Sequence, residues 1–132
     1  MTTSADELRA AAARLRGLAS AASTDPHSNR PTVSWEFLTK KPEFPTDFPP
    51  HGRLIAPDSE GRNRDLIHGG GGGTRAHSPW MFEAHGAYIA AMHPGVGKAL
   101  ADWLEYEAEF GTDPGIDPAA LTVAHVILGG HR

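Results

Sequence analysis

Residues 85–109 read HGAYIAAMHPGVGKALADWLEYEAE and combine helical periodicity with a built-in break. Pro94 has no backbone donor and disfavours helical dihedral angles at His93, so we expect one helix to end at His93 and a second to begin at Pro94. Ser78 followed by Pro79 predicts that helical structure resumes shortly before this stretch, because serine caps a helix and proline suits its first turn. The apolar positions at helical spacing are Ala87, Tyr88 and Ala91 before the break, then Val96, Ala99, Leu100, Trp103 and Leu104 after it.

Two further helices are predicted towards the ends of the chain. Residues 6–22 carry an apolar stripe at helical spacing, and Ser4 and Glu7 ahead of it have the spacing of a capping box. Asp117 followed by Pro118 is typical of the start of a short final helix, which two glycines end. The expected apolar faces are Leu8, Ala11, Leu15, Leu18 and Ala22 in the N-terminal helix, and Leu121, Ala124, His125 and Leu128 in the final helix.

The middle of the chain, about residues 25–80, is rich in proline and glycine and contains shorter elements. Apolar and polar residues alternate over residues 32–37, which predicts a half-buried strand. Residues 53–56 and 65–68 flank the turn-rich segment PDSEGRNR, which predicts a β-hairpin. Residues 69–73 are five consecutive glycines, and no regular element tolerates such a run, so we expect a loop or a hinge there.

The length of 132 residues is that of one domain, and we expect a single α+β domain over residues 1–132. Its predicted elements are an N-terminal helix, a small antiparallel sheet or hairpin with long loops, a C-terminal helical hairpin and a short final helix. No apolar run approaches the length of a membrane span, and the absence of cysteine favours a cytoplasmic protein. The net charge of -4 does not favour binding to nucleic acid.

A resemblance to known proteins is carried by two segments, ELRAAAARLRGLA in the N-terminal helix and AYIAAMHPGVGKALADWLE. Together they resemble a group of small actinobacterial and actinophage proteins, over the N-terminal helix and about residues 84–128. The second segment is more distantly similar to the Ead-like early proteins of lambdoid phages, in which an Ile-Ala-Ala-x-x-Pro joint precedes an amphipathic helix. Many of the relatives have Thr-Pro-Gly-Pro-Trp after the first helix, whereas this chain has STDPHSNRPTVSW. The resemblance implies an accessory protein of a phage or mobile element and supplies no catalytic residue.

Two segments of the irregular middle are candidate binding sites. Phe44 and Phe48 lie among four prolines in residues 41–50, which predicts an extended surface segment, and exposed rings on it would form an interaction strip. The glycine run leads into Arg75, whose charge beside free backbone donors suits an anion. Walker and Rossmann patterns are absent, so a flexible linker is the simpler interpretation. The residues of this candidate site for a small anionic ligand are Gly71, Gly72, Gly73, Thr74, Arg75 and His77.

An alternative prediction is a metal-dependent hydrolase with zinc or manganese. The chain has eight histidines, and neutral imidazole is the commonest metal ligand. Their spacing matches no known ligand pattern and includes no HExxH, so solvated loop histidines are the simpler interpretation. The ligands under this alternative are His68, His77 and His85, with Glu83 or Asp65.

Nucleic-acid binding is a third prediction, in which arginines form a basic surface and Trp35 or Trp80 stacks on bases. Interspersed acidic residues nearly cancel the field of this surface. The three tryptophans, Trp35, Trp80 and Trp103, are expected in the core because large aromatic side chains dominate burial in small domains. The arginines concerned are Arg53, Arg62, Arg64 and Arg75, and the interspersed acids are Asp58, Glu60 and Asp65.

A non-catalytic binding protein is the leading prediction. The chain has no cysteine, no G-x-S-x-G, and no serine with a histidine and an acid at a recognisable spacing. We expect a cytoplasmic homo-oligomer that associates through the helices of residues 85–109 and has no cofactor. We expect its middle segment to engage a host protein or a small anionic ligand, because long irregular segments in compact domains are usually functional or disordered.

Overall fold

The computed structural model describes residues 2–25, 29–32, 34–42, 46–58, 60–68, 79–111 and 115–129. Within these residues, four helices and a four-stranded antiparallel sheet confirm the predicted α+β class. The chain divides into two compact units, a helical unit of Met1–Ala22 and Pro94–Arg132 and a sheet unit of Ser23–His93. The elements are α1 (Ser4–Ala22), β1 (Thr24–Asp25), β2 (Arg30–Pro31), β3 (Glu36–Thr39), β4 (His51–Pro57), β5 (Asn63–Asp65), β6 (Met81–Phe82), α2 (Glu83–Ala91), α3 (Pro94–Phe110) and α4 (Pro118–Ile127).

The helical unit packs α1, α3 and α4 together through small side chains. Alanine dominates the buried faces, and small side chains at the contact allow short distances between helix axes. A Cβ atom at Gly97 of α3 would lie 3.4 Å from the Cβ of Ala19 on α1, so the two helices meet closely there. The buried side chains are Leu8, Ala11, Ala12, Ala101, Leu104, Ala108, Ile116, Ala120 and Ala124.

Helix α1 begins earlier than predicted and with a different cap. The backbone N–H of Asp6 donates to Oγ1 of Thr3 at 3.1 Å, and the backbone N–H of Thr3 donates to Oδ2 of Asp6 at 3.2 Å. This reciprocal pair is the capping box, and the predicted box of Ser4 and Glu7 is wrong because Ser4 is already helical. The Glu7 carboxylate instead lies 2.7 Å from Nε2 of His125 on α4.

The predicted starts of α3 and α4 are confirmed. Helix α2 ends at Ala91 and α3 begins at Pro94, so the break falls where the proline predicts it. Helix α4 follows Asp117, whose carboxylate accepts a hydrogen bond from the backbone N–H two residues on, at 2.9 Å. The buried stripe of α3 differs from the predicted one, since Ala99 is exposed and Ala108 is buried.

The sheet unit contains a sheet in the order β3-β4-β5, with β6 also paired to β4, and a separate two-stranded pair of β1 and β2. The predicted hairpin is confirmed: β4 and β5 are antiparallel, with Ile55 opposite Asp65 and Pro57 opposite Asn63. Gly61 in the connecting turn has a φ of 79°, which glycine adopts without the steric cost that other residues meet. The turn sequence between β4 and β5 therefore accounts for the hairpin.

Helix α2 is preceded by a strand, not by further helix. The prediction of helical structure from Pro79 is wrong, because Met81 and Phe82 form β6, which pairs with β4. The first helical residue is therefore Glu83. Ser78 lies outside the described residues. Helix α2 packs on the sheet with little space between backbones, since a Cβ atom at Gly86 would overlap the ring of Phe37 on β3. Helices α2 and α3 thus belong to different units.

Candidate functional site

Five aromatic side chains of the sheet unit form a continuous cluster, which we call the ring cluster. Neighbouring ring centroids are 5.2–6.3 Å apart, and most neighbouring ring planes are steeply inclined to each other. This is the edge-to-face arrangement that the charge distribution of aromatic rings favours. The members of the ring cluster are Phe48, His51, Trp80, Phe82 and His85.

The pairing of β4 with β6 brings the side chains of His51 and Phe82 close to each other. His51 lies opposite Phe82 in the register of β4 and β6, so the two side chains share one face of the sheet. Trp80 precedes Phe82 by two residues, and its ring centroid lies 5.2 Å from that of His51. Phe48 reaches the cluster from the proline-rich run, where its backbone N–H donates to Oγ1 of Thr46 at 3.1 Å.

The two largest exposed rings of the cluster are those of Trp80 and Phe48, and His85 is exposed as well. Trp80 keeps 52% and Phe48 keeps 49% of its accessible surface. The prediction that all three tryptophans lie in the core is therefore wrong for Trp80, whereas Trp35 and Trp103 are half-buried. Large aromatic side chains left at a surface are enriched where partners and ligands bind.

A groove of about 550 Å³, the first groove, opens beside Trp80 on β3 and β4. Its volume lies within the range of roughly 300–1,000 Å³ that is usual for small-molecule sites. A Cβ atom at Gly52 would overlap the carbonyl of Leu38 on the neighbouring strand. The groove is lined by Leu38, Thr39, Lys40, His51, Gly52, Arg53 and Trp80.

A second groove of about 490 Å³ lies between the end of β3 and the proline-rich run, and Lys40 and His51 line both grooves. Hydrogen bonds fix its walls. The hydroxyl of Thr39 donates to Oε1 of Glu83 at 2.8 Å, and the backbone N–H of Glu83 donates to the carbonyl of Pro50, also at 2.8 Å. The proline-rich run is thereby attached to the start of α2.

Positive charge borders the first groove. Lys40 and Lys41 are exposed, and none of the ion pairs within the described part of the chain involves either of them. Nε of Arg53 donates to Oδ1 of Asp65 at 2.8 Å, and this hydrogen bond raises the pKa of the Arg53 guanidinium. Acidic side chains line only the second groove. The first groove therefore places an aromatic ring beside the cationic side chain of Lys40, whereas the charge of Arg53 is balanced by Asp65.

The glycine-rich site predicted from the sequence lies outside the described residues, and so does one half of the predicted interaction strip. Phe48, the other half of the strip, is exposed and belongs to the ring cluster. The residues outside the described ranges are Gly71, Gly72, Gly73, Thr74, Arg75 and His77 of the ligand site, and Phe44 of the strip.

The described residues of the alternative metal site are not brought together. Across the described ranges, no three His, Asp or Glu side chains lie where they could hold one metal ion. Asp65 instead accepts the hydrogen bond from Arg53, and His85 packs against the ring of Phe82. The predicted ligands that the structure describes are His68, His85, Glu83 and Asp65, whereas His77 lies outside the described ranges.

The arginines of the predicted nucleic-acid surface are paired with carboxylates. Nε of Arg62 and Nε of Arg64 lie 3.3 and 3.5 Å from Oδ2 of Asp58, and Arg53 is paired as described above. Arg75 lies outside the described residues. Pairing leaves little positive field at the described arginines, as the interspersed acids of the sequence indicate.

The sequence predicts neither His51 nor Phe82 as a site residue, and it offers Trp80 only as a stacking residue of the nucleic-acid alternative. A weak signal exists, because Trp80 and Phe82 alternate as on a strand with one apolar face. The ring cluster also requires the pairing of β6 with β4, and His51 on β4 is about thirty residues earlier in the chain.

Comparison with known proteins finds no protein-family model, no curated protein and no solved structure that matches this chain. Among the described helices, none combines the length and the apolar character needed to cross a membrane.

Proposed function

We propose that this chain is a non-catalytic cytoplasmic binding protein whose first groove binds a small ligand that carries a flat ring and a negative charge. The observation that carries the proposal is the exposed ring of Trp80 in one groove with Lys40, which forms no ion pair among the described residues. An exposed indole stacks on a planar ring, and cationic side chains attract a phosphate or a carboxylate. A mononucleotide has both groups in one molecule of suitable size.

The resemblance to actinophage and Ead-like proteins supports the accessory role within this proposal. A host protein is the alternative partner of the middle segment. The size of the first groove and the Lys40 side chain that lines it, unpaired among the described residues, favour the small anionic ligand over an extended protein surface. In this proposal the proline-rich run, which includes Phe48, forms part of the wall of the site, because it lines the adjacent second groove.

Titration calorimetry with adenosine monophosphate, adenosine and inorganic phosphate tests the proposal. We expect the nucleotide to bind more tightly than either of its parts, because it uses the ring and the charges together. Trp80→Ala is expected to weaken nucleotide binding about tenfold, since a base stacked on an aromatic side chain contributes about 1–3 kcal/mol. Lys40→Gln is expected to weaken it less and to reduce its salt dependence.

Lys98→Gln is the matched control, because Lys98 is an exposed lysine on α3 in the helical unit. Its affinity for the nucleotide should equal that of the unaltered protein. The proposal is wrong if none of the three compounds binds, or if Trp80→Ala binds the nucleotide as tightly as the unaltered protein.

We also propose that two copies of the chain associate through α2. Its outward face is apolar: Tyr88 is 71% exposed and Met92 is 47% exposed, opposite the buried Gly86. Glu83 at the first position is the one Asp, Glu, Lys or Arg residue of this helix. An uncharged apolar face of this kind is compatible with a copy of itself.

A further inference from the structure

The outward face of α3 carries two exposed aromatic side chains. The helix buries Ala101, Leu104 and Ala108 against the rest of the helical unit. A rotation of about 100° per residue places Tyr106 on the opposite side, with Phe110 one turn further along the same side. Tyr106 is 60% exposed and Phe110 is 63% exposed, so neither ring contributes to the core.

The two rings pack on each other at the surface. Their centroids are 4.8 Å apart and their planes are inclined by 45°. Mutual contact restricts the side-chain rotamers before any partner arrives, which reduces the entropy that binding must remove. Rings that are exposed and already ordered are the kind of side chain that dominates the energetics of protein interfaces.

Negative charge surrounds this ring pair. Asp102 lies one turn before Tyr106, and Glu109 lies on the same side of the helix. Arg16 of α1 binds the carboxylates of Asp102 and Glu105, so one positive charge is shared between two negative ones. Glu109 is exposed, and no ion pair of the described residues involves it. Lys98 is also exposed, one turn before Asp102, so carboxylates outnumber positive charges on this face, and Glu109 is the carboxylate beside the rings that no described ion pair balances.

We propose that the outward face of α3 binds a partner protein through a segment that carries lysine or arginine beside apolar side chains. Charge complementarity selects this occupant. A second copy would bring one acidic face against another, and nucleic acid would bring phosphates against carboxylates, and both arrangements are repulsive.

The full chain, labelled with ¹⁵N, is titrated with a short peptide of alternating lysine and leucine and with a matched peptide of alternating glutamate and leucine. We expect the basic peptide to bind, with the largest chemical-shift changes around Tyr106 and Phe110, and to bind less tightly as salt is added. We expect no comparable binding of the acidic peptide.

Two variants locate the site. Replacement of both rings, Tyr106→Ser with Phe110→Ser, is expected to weaken binding of the basic peptide about tenfold or more. Glu109→Lys keeps both rings and the helix and is expected to weaken binding through charge alone. Circular dichroism verifies that each variant retains its helices.

Three outcomes would overturn the inference. The first is equal binding of the two peptides, which would make the contact apolar only. The second is unchanged binding of the basic peptide by both variants, which would put its site elsewhere. The third is self-association that disappears when the two rings are replaced, which would make a second copy the occupant.

Discussion

Asp58 is a carboxylate enclosed by the turn that it organises. Its Oδ1 accepts hydrogen bonds from the backbone N–H groups of Glu60 and Arg62, each at 2.9 Å, and Oδ2 faces the guanidinium groups of Arg62 and Arg64. These contacts favour the ionised carboxylate, and the bond from the Arg62 backbone is the largest of the causes that lower the pKa of Asp58 below its usual value of 3.8. The turn between β4 and β5 is thus stabilised by the charge of the Asp58 carboxylate.

The lowered pKa makes stability depend on pH in a defined direction. The folded state holds the Asp58 proton less tightly than the unfolded chain does, so the stabilisation is complete above about pH 3.8 and is lost as the pH falls through the lower folded pKa. We expect Asp58→Asn to lower the Tm at neutral pH and to flatten part of the decline of Tm in acid. Thermal unfolding at a series of pH values measures both effects.

Two other carboxylates serve as references for Asp58. Asp47 is exposed, so Asp47→Asn should leave the Tm and its pH profile unchanged. Asp6 also has a lowered pKa, caused first by the hydrogen bond from the Thr3 backbone, so part of the acid decline should persist in Asp58→Asn. A Tm profile that is identical in the unaltered protein and in Asp58→Asn would show that the buried carboxylate does not stabilise the turn.

The contact between α2 and the sheet depends on a glycine. A side chain at Gly86 meets the Phe37 ring, whereas a side chain at Gly17 of α1 meets nothing within 4 Å. We expect Gly86→Ala to lower the free energy of unfolding by about 1–3 kcal/mol through overpacking, measured by urea denaturation. Gly17→Ala should raise it by about 0.5–1 kcal/mol, because alanine loses less backbone entropy in a helix.

The two glycine variants separate packing from helix propensity. Both substitutions add one methyl group inside a helix, so propensity alone predicts a gain of stability for each. Opposite signs would show that the close approach of α2 to β3 decides the outcome at Gly86. Stabilisation by Gly86→Ala would contradict the packing of α2 on the Phe37 ring.

Elements with local signals could be predicted from the sequence. Pro94 and Asp117 mark helix starts through their own backbone chemistry, and both starts are confirmed. Strand β6 has only a weak signal, the alternation of Trp80 and Phe82, because its partner β4 is distant in the sequence and Pro79 gives a competing helix signal. Tertiary pairing overrides local preference in such short segments.

The buried side of α3 and the ring cluster were missed for related physical reasons. The expected apolar face of α3 includes Ala99, but the structure exposes Ala99 and buries Ala101 and Ala108 in the core of the helical unit. Trp80 was expected in the core because of its size, but a strand that pairs at the sheet edge holds its ring at the surface. In both cases the distance between elements, which the sequence does not encode locally, decides which side chains are covered.

At the scale of the whole molecule, charge is distributed differently over the exposed faces of α2 and α3. The chain carries a net charge of -4, and copies of it repel one another except where they meet through an uncharged face. The outward face of α2, around Tyr88 and Met92, is such a face, whereas the outward face of α3 is acidic. Self-association through α2 should therefore depend little on salt, and binding of a basic segment to α3 should depend on it strongly.

Self-association through α2 should make the oligomeric state depend on protein concentration. We expect the mass measured by light scattering to rise with concentration from that of one chain, 14.1 kDa, towards twice that value. Tyr88→Asp should keep the protein monomeric, because it places a charge in the apolar contact and would bury it unpaired on association. Tyr106→Asp is the matched control on α3 and should leave the mass unchanged. Loss of the dimer in Tyr106→Asp but not in Tyr88→Asp would transfer the interface to α3 and would refute the assignment of partners by charge.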